Sequence, residues 1–147
     1  MTYFASEDSP AMLEARRRAR ESFPFFWREL SWEYRRIVRG LDFSAIKLPF
    51  AVPNPRDGEA PVEHMWVGEV EFDGQTVSGV LLNSANAIPG LTEGTPVSAP
   101  LSQLDDWMCT SQGVLCGGFT VQAMRAAMAA DERKAHDEAW GWPFPAL

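Results

Sequence analysis

The chain is short of the residues that usually carry metal or redox chemistry, with two histidines and two cysteines among 147 residues. A structural zinc site takes four nitrogen or sulfur ligands. Only His64, His136, Cys109 and Cys116 are on offer, with no CxxC and no HxxxH among them, so neither a metal nor a cofactor is expected. No apolar run approaches the roughly 18 residues that span a bilayer. The opening "MTYFASEDSP" has neither the charged start nor the apolar stretch of a signal peptide, and a cytoplasmic, membrane-free location follows as the expectation. Cations are also scarce: the net charge is −7 and the pI about 4.8. That argues against nucleic acid, whose binding depends on neutralising phosphates with Lys and Arg. Internal repeats and low-complexity segments are missing too.

What remains is the material of one small globular domain spanning 1–147, long enough to bury a core without staples. Six tryptophans promise bulky packing. The charge is unevenly spread. Residues 1–40 carry a balance of +2 and residues 41–147 one of −9. The simplest use is a helical arm, 1–41, docked on an acidic body, 42–147; the alternative is a cationic partner for that body.

Ser9-Pro10 reads as an N-cap followed by proline at the first helical position. Pro24 should interrupt or restart the helix, because proline removes a hydrogen bond and clashes with the preceding turn. Phe23, Trp27, Leu30, Tyr34, Ile37 and Leu41 then step by three and four along one face, toward a glycine cap at Gly40. Beyond it, "FSAIKLPFAV" reads as a strand, followed by a proline-rich loop. "VEHMWVGEVEF" and "TVSGVLLN" are joined by Asp73-Gly74, a hairpin dipeptide. A second hairpin turns at Gln112-Gly113 between "DWMCT" and "VLCGGF". Thr120 is placed to cap a helix, "VQAMRAAMAA", with a short helical continuation after it. Helices, then strands, then a helix imply α+β: a small curled antiparallel sheet or partial barrel, an N-terminal helical arm and a C-terminal helix. Glycines at 68, 79, 117 and 118 mark bends.

Candidate chemistry centres on His64. A period of two puts Val62, His64, Trp66, Gly68, Val70 and Phe72 on one strand face, the more apolar one, so His64 reads chiefly as a packed, hydrogen-bonded ring. Cys109 and Cys116 fall opposite one another across the second hairpin, within disulfide reach, but in a cytoplasmic protein they read as reduced thiols. A nucleophile role for Cys116 with His64 is the sharper alternative. Asp105-Asp106 cannot share a proton from opposite strand faces; one carboxylate accepting backbone N–H groups is the plainer role. "GGFTVQAMR" could hold an anion at a helix N-terminus, or simply form a bulge and cap with Arg125 paired to Asp105 or Asp106. Arg16-Arg17-Arg18 reads as a solvated helix face.

The strings "EHMWV", "FDG…V.G.LLN", "LDDWM" and "GGFTV..MR" together resemble a bacterial family known as the domain of unknown function numbered 2314, from about Lys47 through Arg125. The resemblance implies a small α+β domain with no assigned activity or cofactor. The matching positions are Glu63, His64, Trp66, Asn83, Asp106, Trp107, Gly117, Gly118 and Arg125. The loop "SANAIPG" after Asn83 lacks the proline expected soon after that asparagine. Two functions follow as expectations. One is a non-enzymatic module binding a protein or small ligand, with toxin neutralisation as one form. The alternative is an enzyme with His64, Asp106 and Arg125 converging in one pocket.

Overall fold

The computed structural model describes residues 9–37 and 40–145; the opening residues read above for a signal peptide lie outside them. Helix α1 runs Pro10–Glu33, and the strands are β1 Phe43–Ala51, β2 Val62–Phe72, β3 Thr76–Leu81, β4 Pro96–Pro100, β5 Asp106–Ser111 and β6 Val114–Gly117. Helices α2, Phe119–Ala127, and α3, Ala130–Trp140, follow. All strand pairs are antiparallel, in the order β4-β3-β2-β1-β5-β6. The fold class is α+β, and the sheet does not close into a barrel.

Helix α1 begins where its sequence signal says. Ser9 Oγ accepts from Met12 N at 3.2 Å, with Pro10 in the first turn. Pro24, however, neither stops nor restarts it. The helix continues through, giving up one hydrogen bond while Ala19, Phe23, Phe26 and Leu30 bury completely on the sheet. Full burial of a phenylalanine or leucine side chain is worth about 1.5–3 kcal/mol, so Phe23, Phe26 and Leu30 together outweigh the proline defect. The helix ends well short of Gly40. Tyr34 is the C-cap, and the Glu33 carboxylate accepts from the amides of Gly40 (2.8 Å) and Leu41 (2.7 Å). These bonds fold the chain back toward β1. Tyr34 and Ile37 therefore leave the expected apolar face and lie exposed, whereas Leu41 still packs on the core.

The two sheet faces differ. One packs under α1, where Phe23, Phe26 and Leu30 meet Ile46, Leu48, Met65, Val67, Val70, Leu81 and Trp107. The Trp107 indole stacks on Phe26 and donates to Ser22 Oγ at 2.9 Å. On the opposite face, α2 and the tail lie against the β1-β5-β6 half. There Ala45 and Met108 are buried and Trp142 meets the edge of Phe43, with ring centroids 4.6 Å apart. Among the described residues, no helix covers the corresponding face of β2-β3-β4.

The expected pleat of β2 holds for only part of the strand. Met65 and Val67, rather than His64 and Trp66, lie in the core; beyond Gly68 the inward residues are Val70 and Phe72. A β-bulge causes the switch. The β2–β3 register shifts between Gly68 and Glu71, and Glu69 adopts φ +51°. One extra residue flips every later side chain to the other face.

Candidate functional site

His64 stands on β2 opposite Pro49 of β1. Its Nδ1 donates to Asp105 Oδ2 at 2.5 Å, and Arg16 Nε of α1 lies 3.4 Å from Asp105 Oδ1. Asp105 is only 3% exposed. Its amide donates to Lys47 O at 3.0 Å. The carboxylate thus ties α1, β2 and the entry to β5 together. A buried carboxylate between two cationic or donor groups satisfies the rule that buried charge is tolerated only when paired.

Asp106 is the next residue and points elsewhere. Completely buried, it accepts from Trp107 N (2.9 Å), Phe119 N (3.0 Å), Thr120 N (2.9 Å) and Thr120 Oγ1 (2.6 Å). Burial pushes this carboxyl above its ordinary value, against the pull of the Thr120 hydroxyl, Lys47 and the two helix amides. The α2 amides that "GGFTV" leaves available are therefore already held by an anion from the chain itself. Gly118, at φ +69°, is the N-cap position in place of Thr120. Gly117 is needed beside it: at φ +77°, an added Cβ would come within 2.2 Å of Trp107 O. Lys47 Nζ donates to Thr120 Oγ1 at 3.0 Å and sits over the Trp66 ring.

Arg125 pairs with neither Asp105 nor Asp106. It is 3% exposed and clamps Asp137 of α3 through two bonds, Nε–Oδ1 at 2.8 Å and Nη2–Oδ2 at 2.6 Å. It also donates to Gln122 Oε1 and Pro145 O and lies over Phe144. The guanidinium holds the Asp137 carboxyl below its ordinary value. Arg125 fastens α3 and the tail to α2.

Among the described residues, no hydrogen bond or ion pair joins His64, Asp106 and Arg125 to one another, and each helps close a different junction. Glu63 accepts from the amides of Asn86 and Ala87 (2.8 and 2.9 Å), pinning the loop after β3. Asn83 is exposed in that loop. Cys109 and Cys116 face each other in register as free thiols, the first buried and the second exposed. Burial, followed by the neighbouring Cys116, pushes Cys109 up to about 12. Among the described residues, no group of three or more His, Cys, Asp and Glu side chains is arranged to hold a metal ion. Sequence reasoning missed Arg16 and Lys47 as partners of this region. Neither has a local signal, because both partners come from distant elements.

These features define an α+β domain in which Glu63, His64, Asp106 and Arg125 each join separate elements. The chain belongs to the family described as "Uncharacterized protein conserved in bacteria (DUF2314)", which it matches over residues 9–144. It is 42% identical over 142 residues to a Neisseria meningitidis serogroup B protein named "Putative ankyrin repeat protein NMB1133/NMB1171". The alignment covers 97% of this chain and 55% of that relative, so the chain spans about half the relative's length. No solved structure matches. No helix among the described residues is long and apolar enough to cross a membrane.

Proposed function

We propose that the chain is a non-enzymatic protein-binding module that acts as one unit, with α1 integral to it. The observation that carries this reading is the separate engagement of His64, Asp106 and Arg125. Chemistry of the acid–base kind needs such groups within reach of one substrate, and here each is spent on a different junction. Support of a second kind comes from the relative, in which a similar domain is joined to further sequence in a protein named for ankyrin repeats. Stacked repeats of that type form extended binding surfaces. A small acidic domain suits a cytoplasmic adapter or a toxin-neutralising protein, both of which work by surface complementarity.

An enzyme reading has one favourable observation, the 2.5 Å contact between His64 and Asp105. A carboxylate that orients an imidazole is the usual support of a general base. Affinity capture with the tagged chain from its own host, beside a His64→Gln variant, separates the two readings. The module reading expects a specific partner retained equally by both forms. No partner, together with turnover of a host metabolite that His64→Gln abolishes, would establish the enzyme.

A further inference from the structure

We infer that the uncovered face of β2-β3-β4 is a docking surface for a cationic segment of a partner protein. The inference rests on the protein-binding reading above and gives that reading a place on the molecule. Between Arg56 and Arg125 the chain carries nine Asp and Glu residues and no Lys or Arg. All of β2, β3 and β4 lie inside that stretch. Glu69 and Glu71 project from the face, exposed, and neither forms an ion pair among the described residues. Their field is felt nearby: the Tyr34 phenol is pushed up first by burial and then by the charges of Glu71 and Glu69.

The face is also shaped to take a chain. A shallow trough of about 420 Å³ is lined by Glu69, Glu71, Ser78, Val80, Pro96 and Ser98. Small residues at its centre leave the relief low, apolar Val80 and Pro96 offer contact area, and hydroxyls offer hydrogen bonds. A polyamine would use the carboxylates alone; a protein segment uses all three. The neighbouring sheet edge is less suited to binding. β4 begins and ends in proline, which removes donors from an edge strand and discourages strand addition. Glu69 adds a further sign. It holds a left-handed conformation, φ +51°, where glycine would sit without strain, so a carboxylate stands there at a conformational cost.

The test uses a fluorescein-labelled peptide of about a dozen residues, lysine alternating with valine or serine, titrated into the full chain by anisotropy and mapped by amide NMR shifts. The expected result is saturable binding, shifts centred on Ser78, Val80 and Ser98, and affinity falling as salt rises from about 20 to about 200 mM. Glu69→Gly with Glu71→Gln should weaken binding about tenfold. The glycine is compatible with the bulge, so the variant should stay folded, which its amide spectrum checks. Shifts on another surface, unchanged affinity in the double variant, or equal affinity for spermidine would each overturn the assignment. In the first two cases a partner captured from the host would leave the protein-binding reading standing.

Discussion

Replacing Asp106 by alanine should unfold a large part of the stability margin, because one buried carboxylate serves four donors. Two of those donors, the Phe119 and Thr120 amides, belong to the first turn of α2, where no carbonyl of the helix can accept from them. Removing such a cap costs about 0.5–2 kcal/mol. The Trp107 amide and the Thr120 hydroxyl lose their acceptor as well, and a buried donor left unsatisfied costs about 1–3 kcal/mol. Burial works the other way. It raises the Asp106 pKa, so deleting the ionised group relieves some desolvation. The balance is a loss of about 3–5 kcal/mol, against a typical total stability of about 5–15 kcal/mol. Urea unfolding followed by tryptophan fluorescence measures it. Asp106→Asn, which keeps one acceptor but turns an NH₂ toward donors, should fall between wild type and alanine. A loss below about 1 kcal/mol for alanine would refute the capping role and return Asp106 to the pool of candidate ligand-binding groups.

Phe26→Ala, at a fully buried position, should cost about 3–5 kcal/mol and half-buried Trp27→Ala less; losses below about 1 kcal/mol in both would mean that α1 does not dock. Thiol counting on denatured protein without reductant should find two thiols, and in native protein near pH 8 exposed Cys116 should label well before Cys109, whose thiol burial pushes up to about 12; finding none would overturn the reduced state. Because Arg125 lowers the Asp137 pKa, that pair contributes stability that is full above the unfolded value of about 3.9 and is lost as pH falls through the folded one. Acid unfolding of wild type and Asp137→Asn should therefore converge at low pH, and parallel curves would count against the clamp. Glu69→Gly should stabilise by about 1 kcal/mol by relieving the left-handed backbone; a loss would show that the side chain contributes to the fold.

Signals that act within a few residues were legible in the sequence. Ser9-Pro10 starts α1, Asp73-Gly74 and Gln112-Gly113 turn the two hairpins, and the second turn alone sets Cys109 against Cys116. That one Asp of the 105–106 pair accepts backbone amides was also expected, but as a strand-entry turn. Asp106 takes only the Trp107 amide locally and its other donors from the start of α2. Partners from distant elements were not legible. The end of α1 depends on Glu33 reaching Gly40 and Leu41, and Arg125 finds Asp137 on another helix. Nothing in a helical period reports either bond. His64 was legible as a hydrogen-bonded ring but not as a partner of Asp105, which comes from the entry to β5.

The misread face of β2 and the proposed docking surface have one cause. With an unbroken pleat, the residues sharing a face with Met65 and Val67 would be Glu69 and Glu71, and two carboxylates would enter the apolar layer beneath α1. Isolated buried charge costs far more than strained backbone, whereas a single left-handed residue costs about 1–2 kcal/mol. The bulge resolves the conflict by turning Val70 and Phe72 inward and both glutamates outward. Gly79 faces it on β3: a Cβ there would come within 2.2 Å of Gly68 O, so the glycine permits this pairing. The sequence therefore carries a stretch that fits no single β period because its two halves serve different faces. The half after Gly68 places paired charges on a part of the sheet that none of the described helices covers.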